Sequence, residues 1–155
     1  MRCVADDAPP PLPGDAAMDT VGVTEAARSR PDRLGVHVLA DIVDVADPAC
    51  FDPAFLVDAF RDALHEAGAT IRRTLVEEFT PHGLTVMVVL AESHASLHTW
   101  PERRTVLIDV FTCGPVAPLP VVELFAAKLG PCRVEVAQVD RGARTPRPTG
   151  SAGPD

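Results

Sequence analysis

Residues Leu84-Thr-Val-Met-Val-Val-Leu-Ala91 restrict the possible folds of this chain more than any other stretch. The run is too short for an ordinary helix, is rich in β-branched valine, and is bounded by Thr80-Pro-His-Gly83 and Glu92-Ser-His94. Being apolar at nearly every position, it needs cover, so it predicts a central strand with helices on at least one face. The other elements arrange themselves around it. Gly35 to Val43 predicts a strand with His37 and Asp41 on one face by two-residue spacing. Asp52-Pro53 supplies an N-cap and a first-turn proline, and Leu56, Phe60, Ala63, Leu64 and Ala67 recur at helical spacing until Gly68. Thr70 to Phe79 predicts a strand, Arg104 to Thr112 another, Pro118 to Lys128 a second helix stopped by Gly130-Pro131, and Cys132 to Val139 a last strand. This order predicts an α+β fold, a two-layer sandwich of a mainly antiparallel sheet with two helices on one face.

Composition sets the limits of that domain. Residues 1–33 are rich in Pro, Ala and Asp and lack a sustained period, which predicts a disordered extension; residues 143–155 predict a disordered tail. Residues 34–142 form the expected domain, and 46% hydrophobic residues in the chain suffice for a core. A net charge of −8 argues against nucleic acid and anionic membranes as partners. No apolar run approaches a membrane span in length, so the expected location is the cytoplasm. Cys3, Cys50, Cys113 and Cys132 include no Cys-x-x-Cys pair, and reduced thiols are expected.

Immediately after the apolar run, Glu92, Ser93, His94, Ser96, His98, Thr99 and Glu102 crowd into eleven positions, and Cys113 follows in Asp109-Val-Phe-Thr-Cys-Gly114. Several chemistries fit these residue types. His94 and His98, with Glu92 or Cys113, have the makings of a metal site. Cys113 beside an imidazole could act as a thiolate nucleophile, and Ser93 or Ser96 beside a histidine could form a hydrolase pair. Each residue taken singly also suits a hydrogen-bonded, inert strand end; a strand end does not call for the whole cluster.

The motifs Glu92-Ser-His-Ala-Ser-Leu-His-Thr-Trp-Pro-Glu102 and Asp109-Val-Phe-Thr-Cys-Gly114 resemble, at matching separation, a pair found in the prokaryotic S-adenosylmethionine decarboxylase proenzymes. Phe79-Thr-Pro-His-Gly83, Gly35-x-His37-x-x-x-Asp41 and Arg141-Gly142 are similar to further elements of that family, so the likeness spans about residues 34–142. The resemblance implies the same layered α+β architecture and a chain that cuts itself between Glu92 and Ser93. It implies that the Ser93 hydroxyl attacks the Glu92 carbonyl, that His98 helps remove the Ser93 α-proton, and that a pyruvoyl cofactor derived from Ser93 remains. Thr85 stands where the family has a serine that hydrogen-bonds the intermediate. Cys113 matches the acid that returns a proton to the substrate, Phe79 an aromatic that stacks on adenine, and Glu102 a carboxylate for the ribose hydroxyls. His94 is left as support and Trp100 as packing. The implied substrate is S-adenosylmethionine, decarboxylated to the aminopropyl donor for spermidine synthesis. The implied assembly is a homodimer of processed two-chain units, with sites at the interface and no metal demanded.

Two departures touch the implied pocket. Arg103-Arg-Thr-Val106 replaces a common aromatic–glycine–aromatic run, and Glu77-Glu78 replaces a basic or histidine pair before Phe79. Extra carboxylates suit a cationic amino acid, so a pyruvoyl-dependent arginine or ornithine decarboxylase of the same family is the alternative. An unprocessed, non-enzymatic homologue and a metal-binding module are the rivals from other classes.

Overall fold

A computed structural model describes residues 32–142. The tail expected at 143–155, and the extension expected at 1–33 except its last two residues, lie outside the described residues. The described elements run β1 Gly35–Val43, α1 Pro53–Glu66, β2 Ile71–Glu78, β3 Leu84–Leu90, β4 Ser93–Trp100, β5 Thr105–Thr112, α2 Leu119–Leu129 and β6 Arg133–Arg141. The strands form one six-stranded sheet in the order β2-β3-β4-β5-β1-β6, with every neighbouring pair antiparallel. This is the expected α+β sandwich.

Two expectations are corrected in detail. The cluster from Ser93 to Trp100 is itself a strand, so the described residues hold six strands where the sequence indicated five. Its polar residues hide a two-residue alternation in which Ala95, Leu97 and Thr99 turn inward while His94 and His98 turn outward. β3, read as apolar at nearly every position, also alternates in burial: Leu84, Val86, Val88 and Leu90 are buried, whereas Met87 and Val89 are exposed.

α1 starts as its sequence dictates. The Asp52 side chain accepts from the Phe55 N–H at 2.9 Å, and Pro53 occupies the first turn. Leu56, Phe60 and Leu64 of α1 join Val122, Phe125 and Leu129 of α2 over Val38, Ile42, Val86, Leu97 and Ile108 of the sheet. Phe60 and Phe125 meet edge to face at 5.6 Å, both fully buried. Removing the Phe60 ring opens a cavity between both helices, so Phe60→Ala is expected to destabilise by about 3–5 kcal/mol, read as a lower urea midpoint at unchanged slope.

Among the described residues, the helices cover one face of the sheet and leave the other open. Leu75 of β2 and Met87 of β3 sit opposite each other on that open face, as do His37 of β1 and Val139 of β6. Leu39, Leu75, Met87, Val89 and Val139 are all exposed there. Such a run of apolar side chains on one sheet face marks an interaction surface.

Candidate active site

β3 ends at Leu90 and β4 begins at Ser93, so Ala91 and Glu92 make a tight turn at one end of the sheet. Thr70 braces it from alongside. The Ala91 N–H donates to the Thr70 carbonyl at 2.9 Å, and the Thr70 N–H donates to the Glu92 carboxylate at 3.1 Å. The Thr70 hydrogen bond is the main cause holding the Glu92 carboxyl below its ordinary 4.5, so it is an anion at neutral pH. Nothing in the sequence flagged residue 70, because its contribution comes mainly from the backbone.

At Ser93 φ is 154°, a conformation that glycine adopts more readily than L-residues. Holding a serine there stores on the order of 1–3 kcal/mol of strain beside the 92–93 peptide bond. The carbonyl of that bond is gripped as well. The Glu92 oxygen accepts from the Cys113 N–H at 3.0 Å and from the Cys113 thiol at 2.8 Å. Cys113 reaches it because Thr112 of β5 lies opposite Ser93, after which the chain turns through Gly114 at φ 123°. Two donors on one oxygen polarise the carbonyl and suit the oxyanion that nucleophilic attack would create. The Ser93 hydroxyl lies 3.3 Å from Nδ1 of His94. Glu92, Ser93 and Cys113 are therefore brought together within one chain.

Thr85 and His98 form a second group. They face each other across β3 and β4, with the Thr85 hydroxyl 2.9 Å from His98 Nδ1. A ring that donates from Nδ1 to Thr85 keeps a free lone pair on Nε2. His98 lies five positions along β4 from Ser93, about 16 Å at the rise of an extended chain. One chain does not carry His98 to its own Ser93.

Phe79 and Glu102 belong to the His98 end. Phe79 is exposed beside a cavity of about 460 Å³, also lined by Glu78, Pro81, His82 and Thr99. His82, which sequence reasoning passed over, lines this cavity while its Nε2 lies 3.3 Å from the Glu102 carboxylate. Arg104, one of the departures near the pocket, takes a left-handed conformation (φ 51°) and turns its guanidinium toward Asp44 at 3.8 Å. Trp100 is more than one-third exposed, not packed away as expected. The metal alternative loses its geometry: His98 stands at the opposite end of β4 from Cys113, and no group of three metal-capable side chains occurs among the described residues.

Between the two groups, the open face carries a polar seam. The Ser96 hydroxyl donates to Asp109 at 3.2 Å, His37 Nε2 approaches Asp109 at 3.8 Å, and Arg141 contacts His37 Nδ1 at 3.2 Å. Burial lowers the His37 pKa from its ordinary 6.5; Asp109 works against that, and Arg141 and His94 add to it. As pH falls through 6.5 the unfolded chain takes up this proton before the folded one, so stability declines toward acid. His37→Gln is expected to flatten that decline below pH 6.5 in urea titrations.

The family model described as S-adenosylmethionine decarboxylase matches residues 36–142, about two-thirds of the chain. The chain belongs to the S-adenosylmethionine decarboxylase family. The S-adenosylmethionine decarboxylase proenzyme of Geobacillus sp. (strain WCH70) is 34% identical over 113 residues, covering 73% of this chain and 91% of that protein. A proenzyme of the same name from Methanococcus maripaludis (strain C5) is 35% identical over 114 residues, covering 71% and 91%. The crystal structure of the adenosylmethionine decarboxylase from Aquifex aeolicus superposes with a TM-score of 0.67 at 32% identity, covering 77% of this chain and 99% of that one. The part shared with the family thus includes both groups of candidate residues and the open sheet face between them.

Proposed function

We propose that this chain is a self-processing, pyruvoyl-dependent decarboxylase of S-adenosylmethionine, whose product is the aminopropyl donor for spermidine synthesis. The observation that carries the reading is the Glu92 carbonyl, held by two Cys113 donors next to a strained Ser93. In the first step the Ser93 Oγ bonds to the Glu92 carbonyl carbon, and Cys113 steadies the oxyanion. The C–N bond then breaks, and the acyl group rests on the Ser93 oxygen as an ester. Removal of the Ser93 α-proton expels the Glu92 carboxylate, which leaves with both oxygens, and water releases the nitrogen as ammonia. Residues 1–92 form one product chain. The other begins at position 93 with a pyruvoyl group, and the residues around Ser93 fit its formation because both carbonyl grip and strain act on the bond that must open.

The pyruvoyl ketone supplies the electron sink for loss of carbon dioxide from an α-amino acid. Around it, the Cys113 thiol serves as the acid that protonates the substrate α-carbon. Phe79 offers a ring to adenine, Glu102 accepts from the ribose hydroxyls, and Glu78 in the same cavity suits a substrate bearing a sulfonium charge. The relatives' names as S-adenosylmethionine decarboxylase proenzymes favour this substrate over arginine or ornithine. With Cys113→Ala the backbone donor to Glu92 survives, so cleavage is expected to persist at a reduced rate. Turnover of the cleaved protein should fall about 10²–10⁴-fold, the range for losing a general acid, in single-turnover assays.

The active unit is a homodimer with the open sheet faces packed together. The separation of His98 from Ser93 along β4 supports this arrangement, as do the apolar side chains exposed on that face. A two-fold pairing that sets the Ser93 end of one sheet against the His98 end of the other completes two sites, each with Glu92, Ser93 and Cys113 from one copy and Thr85, His98, Phe79 and Glu102 from the second. The cytoplasm is the proposed compartment, in keeping with the free thiols of Cys50, Cys113 and Cys132. The substrate is tested by carbon dioxide release from S-adenosylmethionine, arginine and ornithine. Release from S-adenosylmethionine alone is expected, and release from arginine or ornithine alone would reassign the substrate.

A further inference from the structure

The two histidines of β4 are not equivalent. His98 is paired with Thr85 and lies about 16 Å from the Ser93 of its own chain. His94 sits next to Ser93, and its Nδ1 is 3.3 Å from the Ser93 hydroxyl oxygen. A serine hydroxyl is a weak nucleophile until a base receives its proton. The other polar groups nearby are engaged differently. The Glu92 carboxylate is bound by the Thr70 N–H and holds its proton less readily than an ordinary carboxylate, which makes it a poorer base. The Cys113 thiol donates to the Glu92 carbonyl. Phe111 flanks the His94 ring at 5.7 Å and His37 meets it edge-on at 6.3 Å, so the imidazole has neighbours on the open face that restrict how it turns.

We propose that His94 is the catalytic base of the first processing step, taking the proton from Ser93 Oγ as that oxygen attacks the Glu92 carbonyl. This assignment rests on the self-processing reading and divides the labour between two imidazoles. The tautomer required carries its proton on Nε2 and presents the Nδ1 lone pair to the serine. As the C–O bond forms, the proton passes from Oγ to Nδ1. As the C–N bond breaks, His94 returns that proton to the departing Ser93 nitrogen and is neutral again. No outside reactant is consumed. His98 of the second copy acts only afterwards, on the Ser93 α-proton of the ester.

The order of events separates the two roles. In cell-free synthesis followed by gel analysis, His98→Ala is expected to accumulate the ester, which neutral hydroxylamine cleaves at position 92. His94→Ala, blocked one step earlier, is expected to leave an amide that hydroxylamine does not cut, with cleavage slowed about 10²-fold or more. Added imidazole should restore cleavage of His94→Ala severalfold, and His94→Gln, which keeps the size of the side chain but not a base, should stay slow and unfold at the wild-type temperature. The assignment is overturned if His94→Ala cuts at the wild-type rate, if it accumulates the hydroxylamine-sensitive ester, or if the folded variant ignores imidazole. Wild-type protein that remains uncut in the same synthesis would instead remove the underlying self-processing reading.

Discussion

Ser93→Ala is expected to remain a single polypeptide of about 16.5 kDa, with no decarboxylase activity, where the wild-type chain divides after Glu92. The substitution removes one oxygen and leaves the grip on the Glu92 carbonyl in place, because both donors come from Cys113. Alanine at φ 154° is as strained as serine, so the fold should be unaffected and the loss should be chemical. Without the hydroxyl neither ester nor pyruvoyl group can form. The effect is a complete loss, not a slower rate, and denaturing gels beside thermal melts of both proteins measure it.

The second large effect is a rescue. His98→Ala and Ser93→Ala are each expected to be inactive alone, for different reasons: the first lacks the base for the α-proton, the second the nucleophile. If the two groups of residues meet across a dimer, a mixed pair holds one intact site, with Ser93 from the His98→Ala chain and His98 from the Ser93→Ala chain. Random pairing on co-expression places about half of the His98→Ala chains in such pairs, so about half of them should be fully processed. Tagging the two variants with different masses identifies which chain is cut. If the required His98 were on the same chain as Ser93, co-expression would rescue nothing.

Much of this architecture is written plainly in the residues. Asp52-Pro53 and the 56-60-64 spacing specify α1, and the alternation of Gly35 to Val43 specifies β1. β4 is the element the sequence hides, because His94, Ser96 and His98 on its outward positions look like a loop until the inward Ala95, Leu97 and Thr99 are set in alternation with them. The chemistry-bearing residue types stood out for the same reason: so many polar groups beside a buried strand need an explanation. Their division between two ends of the sheet did not, since sequence spacing alone says nothing about distance until the segment is known to be extended; five positions mean about 16 Å in a strand and much less in a helix. Thr70 and the Cys113 N–H were invisible because backbone groups have no residue signature. His82 was overlooked as one polar residue in a turn, though it joins the cavity beside Phe79 to Glu102.

Everything proposed about activity depends on whether the bond between Glu92 and Ser93 opens and leaves a ketone behind. Intact mass of freshly purified wild-type protein, before and after borohydride reduction, tests this most directly. The account predicts two chains, residues 1–92 and a partner starting at position 93, the second gaining two hydrogens on reduction. A single full-length chain whose mass borohydride leaves unchanged would contradict it.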